Sequence, residues 1–183
     1  LLQLPMPLVL EYTPRDRVPV EVEGLTPEVT REKSVAELER FLVDHGNRRV
    51  ALAELFRVSG DPSDSEIRFE GDLGGVHRIG AGMATGKIHL AGHAGRHTGA
   101  DMTGGVITVE GDAGDWLGAE MLDGRIVVRG NAGHLVGSAY RGARRGMQGG
   151  TILIGGNAGQ EVGRAMRRGM IFVGGSVGDA VGY

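Results

Sequence analysis

Five of the seven methionines stand at a nearly constant spacing, and each is followed three residues later by a glycine. The intervals between successive methionines are 19, 19, 26 and 19 residues, so the unit is 19 residues long with one insertion of seven. Each glycine is followed by a short apolar segment: KIHL, VITV, RIVV, TILI or MIFV. This period is shorter than the roughly 33 to 45 residues of the common two-helix repeats, and it indicates a stack of short strands. The methionines are Met83, Met102, Met121, Met147 and Met166.

Within each apolar segment, alternate residues point to the same face, so one unit presents a face that it cannot bury alone. The glycines mark corners that need a positive φ or close backbone approach, and a small alanine follows in most units. The sequence therefore predicts a mainly β fold, a right-handed β-helix of about 19-residue turns preceded by a small α+β N-terminal region. Its interior should contain one continuous column formed by Ile88, Ile107, Ile126, Ile152 and Ile171.

Glycine divides the chain into two regions, because 31 of the 34 glycines fall between residues 71 and 183. The predicted domains are a small α+β region over residues 1–66 and the glycine-rich β-helix over residues 67–183. In the first region, Ser34 and Glu37 stand at capping-box spacing and predict a helix that runs towards Gly46. The chain lacks an initiator methionine and stops within a unit at Tyr183, so the sequence leaves open whether either end is complete.

Composition excludes several classes of function. A net charge of −3 excludes a generally basic nucleic-acid binder. The absence of cysteine excludes a disulfide framework or thiolate metal site, which fits a cytoplasmic location. No apolar run approaches 18 residues, so no membrane-spanning segment is expected.

Two motifs that suggest chemistry have simpler explanations. The segment GMATGKI departs from the phosphate-binding loop pattern at Ala81 and Ile88. The spacing of His89, His93 and His97 would suit metal ligation on a helix, but on strands four residues span roughly 13 Å. We interpret these histidines as surface or turn residues.

Acidic side chains recur in one turn position, at Asp72 and Asp112, where other units carry His93, Asn131 or Ser176. Side chains that bond the backbone of their own turn explain this preference without catalysis. We therefore predict no catalytic residue and no metal ligand in this chain.

Six arginines gather around the insertion and in the corresponding segment of the next unit, where residues 138–170 offer a single acid, Glu161. One interpretation is a solvated surface or salt bridges to a partner protein. The other is a guide for an anionic ligand rich in carboxylates or phosphates. The sequence leaves both open for Arg141, Arg144, Arg145, Arg164, Arg167 and Arg168.

The outward strand positions become apolar in the later units, where Val127, Leu153 and Phe172 should stack beside Met170. A solvated sheet face would carry polar residues there. We therefore predict that these four residues form an interface with a partner.

Four segments resemble the C subunit of formylmethanofuran dehydrogenase, including its bacterial counterpart in the formyltransferase/hydrolase complex. They are GDLGGVHRIGAGMATGKI, GDAGDWLGAEMLDGRIVV, GNAGHLVGSAYRGARRGMQGGTILI and GNAGQEVGRAMRRGMIFVGG. The N-terminal GNRRVALAELFRV is also similar, so the resemblance covers most of the chain. SAYRGARRGMQGG is its least generic phrase.

The resemblance implies a noncatalytic structural subunit of a large cytoplasmic assembly in tetrahydromethanopterin-linked one-carbon metabolism. Its implied partners are a hydrolase-like chain that holds zinc and a formyltransferase chain; they transfer formyl to a methanofuran-type carrier and release formate. This chain would bind no cofactor itself, although its arginines would help to retain a polyanionic carrier with a glutamate-rich tail.

Two alternatives remain. One is the C subunit of the archaeal enzyme, which works with a molybdenum or tungsten pterin subunit. The other is a β-helix domain of the kind found in the large subunit of glutamate synthase. The excess of arginine over lysine, 18 to 2, favours the bacterial complex.

Overall fold

A computed structural model describes residues 6–183 of the protein. These residues form twelve β-strands and two short α-helices. In chain order the elements are β1 (Leu8–Tyr12), β2 (Val20–Glu21), α1 (Pro27–Thr30), α2 (Val35–Glu39), β3 (Leu42–His45), β4 (Arg48–Ala51), β5 (Phe56–Ser59), β6 (Glu66–Glu70), β7 (Val76–His77), β8 (Lys87–Leu90), β9 (Val106–Val109), β10 (Arg125–Val128), β11 (Thr151–Ile154) and β12 (Met170–Val173).

The strands form two sheets. The larger has eight strands in the order β12-β11-β10-β9-β8-β6-β1-β5, in which only the β1–β5 pair is antiparallel. The smaller has four strands in the order β4-β3-β2-β7, and β2 and β7 are parallel. In each sheet, therefore, a strand from the first 21 residues pairs in parallel with a strand between residues 66 and 77.

The expected fold class, a mainly β right-handed β-helix behind a small α+β region, is wrong. Residues 6–183 form a mixed α/β fold with one eight-stranded sheet, one four-stranded sheet and two short helices. The reason is that a periodic pattern fixes which strands are neighbours but not how the remaining chain joins them. Here β1 and β5 extend the parallel strands into a mixed sheet, and β7 pairs with β2 in the smaller sheet. The division into residues 1–66 and 67–183 stays a prediction.

The predicted column of isoleucines is present. Ile88, Ile107, Ile126 and Ile152 lie in register on adjacent parallel strands, and each is at most 1% exposed. Ile171 continues the column and is half-buried. A second column, two residues further along each strand, contains Phe69, Leu90, Val109, Val128, Ile154 and Val173.

Glycines between the strands make room for this column. Gly118 has φ +59°, and a methyl group there would lie 2.5 Å from Ile152 Cδ1 and 3.2 Å from Ile126 Cδ1. Only a residue without a side chain tolerates both this backbone conformation and this contact. Gly80, Gly99 and Gly137 have the same relation to Ile107, Ile126 and Ile171.

The side chains at the recurring turn position accept hydrogen bonds from the backbone of the following repeat unit rather than from that of their own turn. Asp112 Oδ1 accepts the Asn131 N–H at 2.7 Å, and Asn131 Oδ1 accepts the Asn157 N–H at 2.8 Å. His93 Nδ1 accepts the Asp112 N–H at 2.9 Å in the same way. The interpretation of these side chains as own-turn caps is therefore wrong for these positions, although Asp72 does accept from Gly74 within its own turn, at 3.4 Å.

The N-terminal helix prediction is confirmed at its start and wrong at its end. Ser34 and Glu37 form the capping box of α2, with the Ser34 N–H donating to Glu37 Oε2 at 2.7 Å. The helix ends at Glu39, and residues 42–46 belong instead to β3 and the hairpin turn that follows it.

No helix within residues 6–183 is long and apolar enough to cross a membrane.

Candidate anion-binding recess and partner surface

The structure brings four of the six predicted arginines around one surface recess of about 540 Å³. Arg144 and Arg145 come from the long connection between β10 and β11, and Arg167 and Arg168 come from the connection between β11 and β12. All four side chains are exposed, and Gln148 completes the lining. We call these five residues the arginine recess.

Backbone hydrogen bonds hold the two connections together beneath the arginine recess. The Gly146 N–H donates to the Ala165 carbonyl at 2.9 Å, and the Arg167 N–H donates to the Met147 carbonyl at 2.8 Å. A methyl group on Gly146 would lie 2.6 Å from the Arg164 carbonyl oxygen, so glycine permits this approach. The recess therefore rests on a fixed backbone and not on a free loop.

One arginine is tied directly to the opposite connection. Arg167 Nη2 donates to the Arg144 carbonyl oxygen at 3.3 Å, which fixes the direction of its guanidinium group. Its remaining donors stay available to a ligand.

The other two predicted arginines do not line the recess. Arg141 is exposed elsewhere on the same connection. Arg164 Nη1 donates to Glu161 Oε2 at 3.2 Å, and its guanidinium carbon lies 5.7 Å from the centre of the Tyr183 ring. Arg164 is therefore already paired within the chain.

The start of the long connection is anchored by a group of aromatic side chains that the sequence did not reveal. The Tyr140 N–H donates to Glu120 Oε1 at 3.0 Å, and its hydroxyl lies 2.9 Å from His97 Nδ1. The ring centres of Tyr140 and Trp116 are 4.8 Å apart, and His97 stacks on Trp116. Burial raises the pKa of Tyr140 to about 12, and burial lowers the pKa of His97.

The 19-residue spacing between His97 and Trp116 could have identified that pair as neighbours. Both residues have a positive φ, at +61° and +63°, which confirms that they occupy equivalent positions. Tyr140 lies in the insertion, however, and its place could not be found from the period.

The outward face of the larger sheet changes from polar to apolar along one row. At the polar end, His89 Nε2 lies 2.9 Å from Glu110 Oε1, and Glu110 also accepts from Arg129 through its other oxygen at 2.7 Å. The polar side chains are thus paired with one another. In register, the row contains Arg68, His89, Thr108, Val127, Leu153 and Phe172.

The apolar end of the row forms an open groove. Val127, Leu153 and Phe172 are adjacent across three strands and line a recess of about 430 Å³. Phe172 is 51% exposed and Met170, at the start of the same strand, is 54% exposed. We call Val127, Leu153, Met170 and Phe172 the apolar row; its role as a partner interface stays a prediction.

The three histidines do not converge. His89 is half-buried beside Glu110, His93 accepts a backbone N–H, and His97 belongs to the aromatic group. Residues 6–183 contain no group of three or more histidine, aspartate or glutamate side chains placed to hold a metal ion.

Comparison with known proteins gives relatives by sequence and by structure, although no family model matches the chain. A stretch of 87 residues, 44% of this chain, is 43% identical to the C subunit of tungsten-containing formylmethanofuran dehydrogenase 2 from Methanothermobacter thermautotrophicus. A stretch of 84 residues, also 44% of this chain, is 40% identical to the C subunit of molybdenum-containing formylmethanofuran dehydrogenase 1 from Methanosarcina barkeri. The matched stretches cover 32% and 28% of these relatives, so the chain aligns with about a third of their length or less.

One structural relative is a chain in the crystal structure of the formyltransferase/hydrolase complex from Methylorubrum extorquens in complex with methylofuran. The TM-score is 0.87 at 30% sequence identity, and the match covers 92% of this chain and 63% of that chain. These findings confirm the resemblance to the C subunit of formylmethanofuran dehydrogenase and to the formyltransferase/hydrolase complex.

Proposed function

We propose that this chain is a noncatalytic structural subunit of a formyltransferase/hydrolase complex in tetrahydromethanopterin-linked one-carbon metabolism. Formyl transfer to a methanofuran-type carrier and the release of formate belong to its partner chains, a formyltransferase and a zinc-dependent hydrolase-like chain. The observation that carries this proposal is the structural match over 92% of the chain to a component of such a complex. We further propose a cytoplasmic location for the assembly, as the resemblance implies.

The apolar row supports a role in assembly. Phe172 and Met170 expose more than half of their area, and the residue beside Phe172 on the adjacent strand, Leu153, is apolar as well. Burial of apolar surface favours association by about 25 cal/mol per Å² before the costs of association. We infer that a partner chain covers this row.

A second candidate is the C subunit of a molybdenum- or tungsten-containing formylmethanofuran dehydrogenase. The names of the two sequence relatives favour it. The two candidates predict the same role for this chain and different partners, because only the second requires a companion that holds a metal pterin.

Affinity purification of the tagged chain from its native cells, followed by mass spectrometry and metal analysis, tests the proposal. We expect formyltransferase and hydrolase-like chains with zinc; molybdenum or tungsten would select the second candidate. Flavin and iron–sulfur chains in their place would contradict both.

A matched pair of variants tests the apolar row. Phe172 and Leu42 are both 51% exposed, but Leu42 lies on β3 of the smaller sheet. We expect Phe172→Asp to lower recovery of the partner chains at least about tenfold, because a buried, unpaired carboxylate costs several kcal/mol. Leu42→Asp should leave recovery unchanged, and equal effects of both variants would refute this interface.

A further inference from the structure

We propose that Met170 is a site of reversible oxidation by peroxide, and that its sulfoxide hinders a partner chain from covering the apolar row. The reaction is argued from the burial of the methionines and can be measured on this chain alone. Its effect on assembly rests on the proposed function.

Methionine is the only oxidisable sulfur in this protein, because the chain contains no cysteine. A peroxide therefore meets thioether groups without competition from a more reactive thiolate. The sulfur must also be reached from solvent, so exposure decides which methionine reacts. All seven methionines lie within residues 6–183, so the burial of each one can be compared.

The repeat protects most of the methionines. Met166 is partly buried against the core, and Met170, on the outward side of β12, is 54% exposed. Met6, just before β1, is also exposed. Four methionines that recur with the 19-residue unit are fully buried in the core: Met83, Met102, Met121 and Met147. Peroxide should therefore react first at Met170 and Met6.

The place of Met170 in the sheet indicates that oxidation would change a surface and leave the fold intact. The Met170 N–H donates to the Gly150 carbonyl at 3.0 Å, so backbone pairing fixes the strand. The side chain lies beside Thr151 and on the same face as Phe172. The equivalent outward positions on the earlier strands are mostly polar: Glu66, Lys87, Val106, Arg125 and Thr151.

The oxidant is hydrogen peroxide, and the step balances with it alone. A lone pair of the Met170 sulfur attacks one peroxide oxygen, the S–O bond forms and the O–O bond breaks. The second oxygen leaves as water after proton transfer, so sulfur is oxidised and the peroxide is reduced. Methionine sulfoxide reductases return the product to the thioether, which makes the change reversible.

The sulfoxide places a strongly polar oxygen at the edge of the apolar row. In the free chain, water can donate hydrogen bonds to this oxygen. A partner that covers Met170 and Phe172 removes that water, and Leu153, the neighbour of Phe172, has no side-chain donor to replace it. Burial of a polar group without a hydrogen-bond partner opposes binding. The same partner would shield the unoxidised sulfur, so the reaction belongs to the unassembled chain.

The first experiment treats the isolated full chain with hydrogen peroxide, stops the reaction with catalase at intervals and maps sulfoxides by mass spectrometry of peptides. We expect Met170 and Met6 to react at least about tenfold faster than the four fully buried methionines, which react only when the core opens. Reaction of Met170 no faster than these four would overturn the proposal.

The second experiment asks whether oxidised chains are excluded from the assembly. Partly oxidised chain is mixed with a limiting amount of the partner chains identified by affinity purification. The fraction of Met170 sulfoxide should be at least about fivefold lower in the captured chain than in the unbound chain. Met6 lies outside the apolar row, so its sulfoxide should be equally frequent in both. Equal Met170 sulfoxide in the two fractions would overturn the proposed effect on assembly.

Three variants identify the responsible sulfur. Met170→Leu keeps an apolar side chain of similar volume without sulfur, so its capture should not respond to peroxide. Met170→Gln carries a polar, uncharged group and should lower capture at least about fivefold without any oxidant. Met6→Leu is the matched control and should stay as sensitive as the unaltered chain. Full sensitivity of Met170→Leu to peroxide would contradict the assignment.

Failure of the proposed function would give a different result. The co-purifying chains would then be other than a formyltransferase and a hydrolase-like chain, while the isolated chain would still be oxidised preferentially at Met170.

Discussion

The contact between Gly118 and Ile152 permits a quantitative test of how the isoleucine column is packed. In Gly118→Ala the new methyl group would lie 2.5 Å from Ile152 Cδ1, and the backbone would keep its φ of +59°. The left-handed conformation costs alanine about 1 kcal/mol, and overpacking of a buried site costs about 1–3 kcal/mol more. We therefore expect the free energy of unfolding to fall by about 2–4 kcal/mol.

Gly82→Ala is the matched control for backbone strain. Gly82 has φ +70°, but a methyl group there meets no atom within 4 Å. This variant should lose only about 1 kcal/mol, from the backbone term alone. The difference between the two variants isolates the packing term.

A double-mutant cycle then asks whether Ile152 Cδ1 is the atom responsible. Ile152→Val removes that atom and by itself costs about 1 kcal/mol. In the double variant the shortest contact is gone, so the two losses should sum to about 1–2 kcal/mol more than is observed. Urea unfolding followed by fluorescence of the single tryptophan, Trp116, measures all four proteins. Additivity within about 0.5 kcal/mol, or equal losses for Gly118→Ala and Gly82→Ala, would refute this reasoning.

Two further predictions concern side chains that accept hydrogen bonds from the next turn. Burial lowers the pKa of His77 below 6.5, and its Nδ1 accepts the Arg96 N–H at 2.9 Å. Folding thus favours the neutral ring, so its contribution to stability is complete above about pH 6.5 and is lost as the pH falls towards and below the lowered pKa. The variant His77→Asn keeps an acceptor but cannot be protonated. It should therefore flatten the pH dependence of the unfolding free energy, measured in urea between about pH 5 and 7.5. Asp112→Ala removes the acceptor of the Asn131 N–H and should cost about 1 kcal/mol, whereas Asp112→Asn should cost less than half of that; equal losses in thermal unfolding would contradict the role of the oxygen.

The regular part of the fold could be predicted because one local rule repeats. Alternation within four-residue segments fixes the inward side, and the spacing of 19 fixes the neighbour, so Ile107 falls between Ile88 and Ile126. The strands that complete the larger sheet could not be predicted, since the sequences of β1 and β5 do not follow the 19-residue repeat of the strands that they extend.

The helix that begins at Ser34 shows a second limit. Its capping box is a local interaction and was predictable. Its end depends on strand pairing outside the helix, because Leu42–His45 form backbone hydrogen bonds with β2 and β4. A longer helix would lose these hydrogen bonds. Local propensity alone could not reveal this competition.

The arginine recess was partly visible in the sequence. Arg144, Arg145, Arg167 and Arg168 could be grouped because the insertion and the next unit must lie side by side. The grouping could not separate them from Arg164, whose acid partner lies three residues earlier in the same turn. The distribution of charge along the sequence predicts which arginines lie near one another, but only the structure shows which of them are already paired with an acid.

The bonding of each turn to the backbone of the following one has an evolutionary consequence. The side chains of Asp112, Asn131 and Asn157 each accept a hydrogen bond from the backbone N–H of the equivalent residue in the next repeat unit. A gene duplication that copies one unit would therefore create a junction with the same donors and acceptors. Insertions that are not a whole unit long must lie in the connections between strands, as the seven-residue insertion between Gly137 and Met147 does. Ancestral versions of this gene could therefore have grown in whole modules while every junction kept its chemistry.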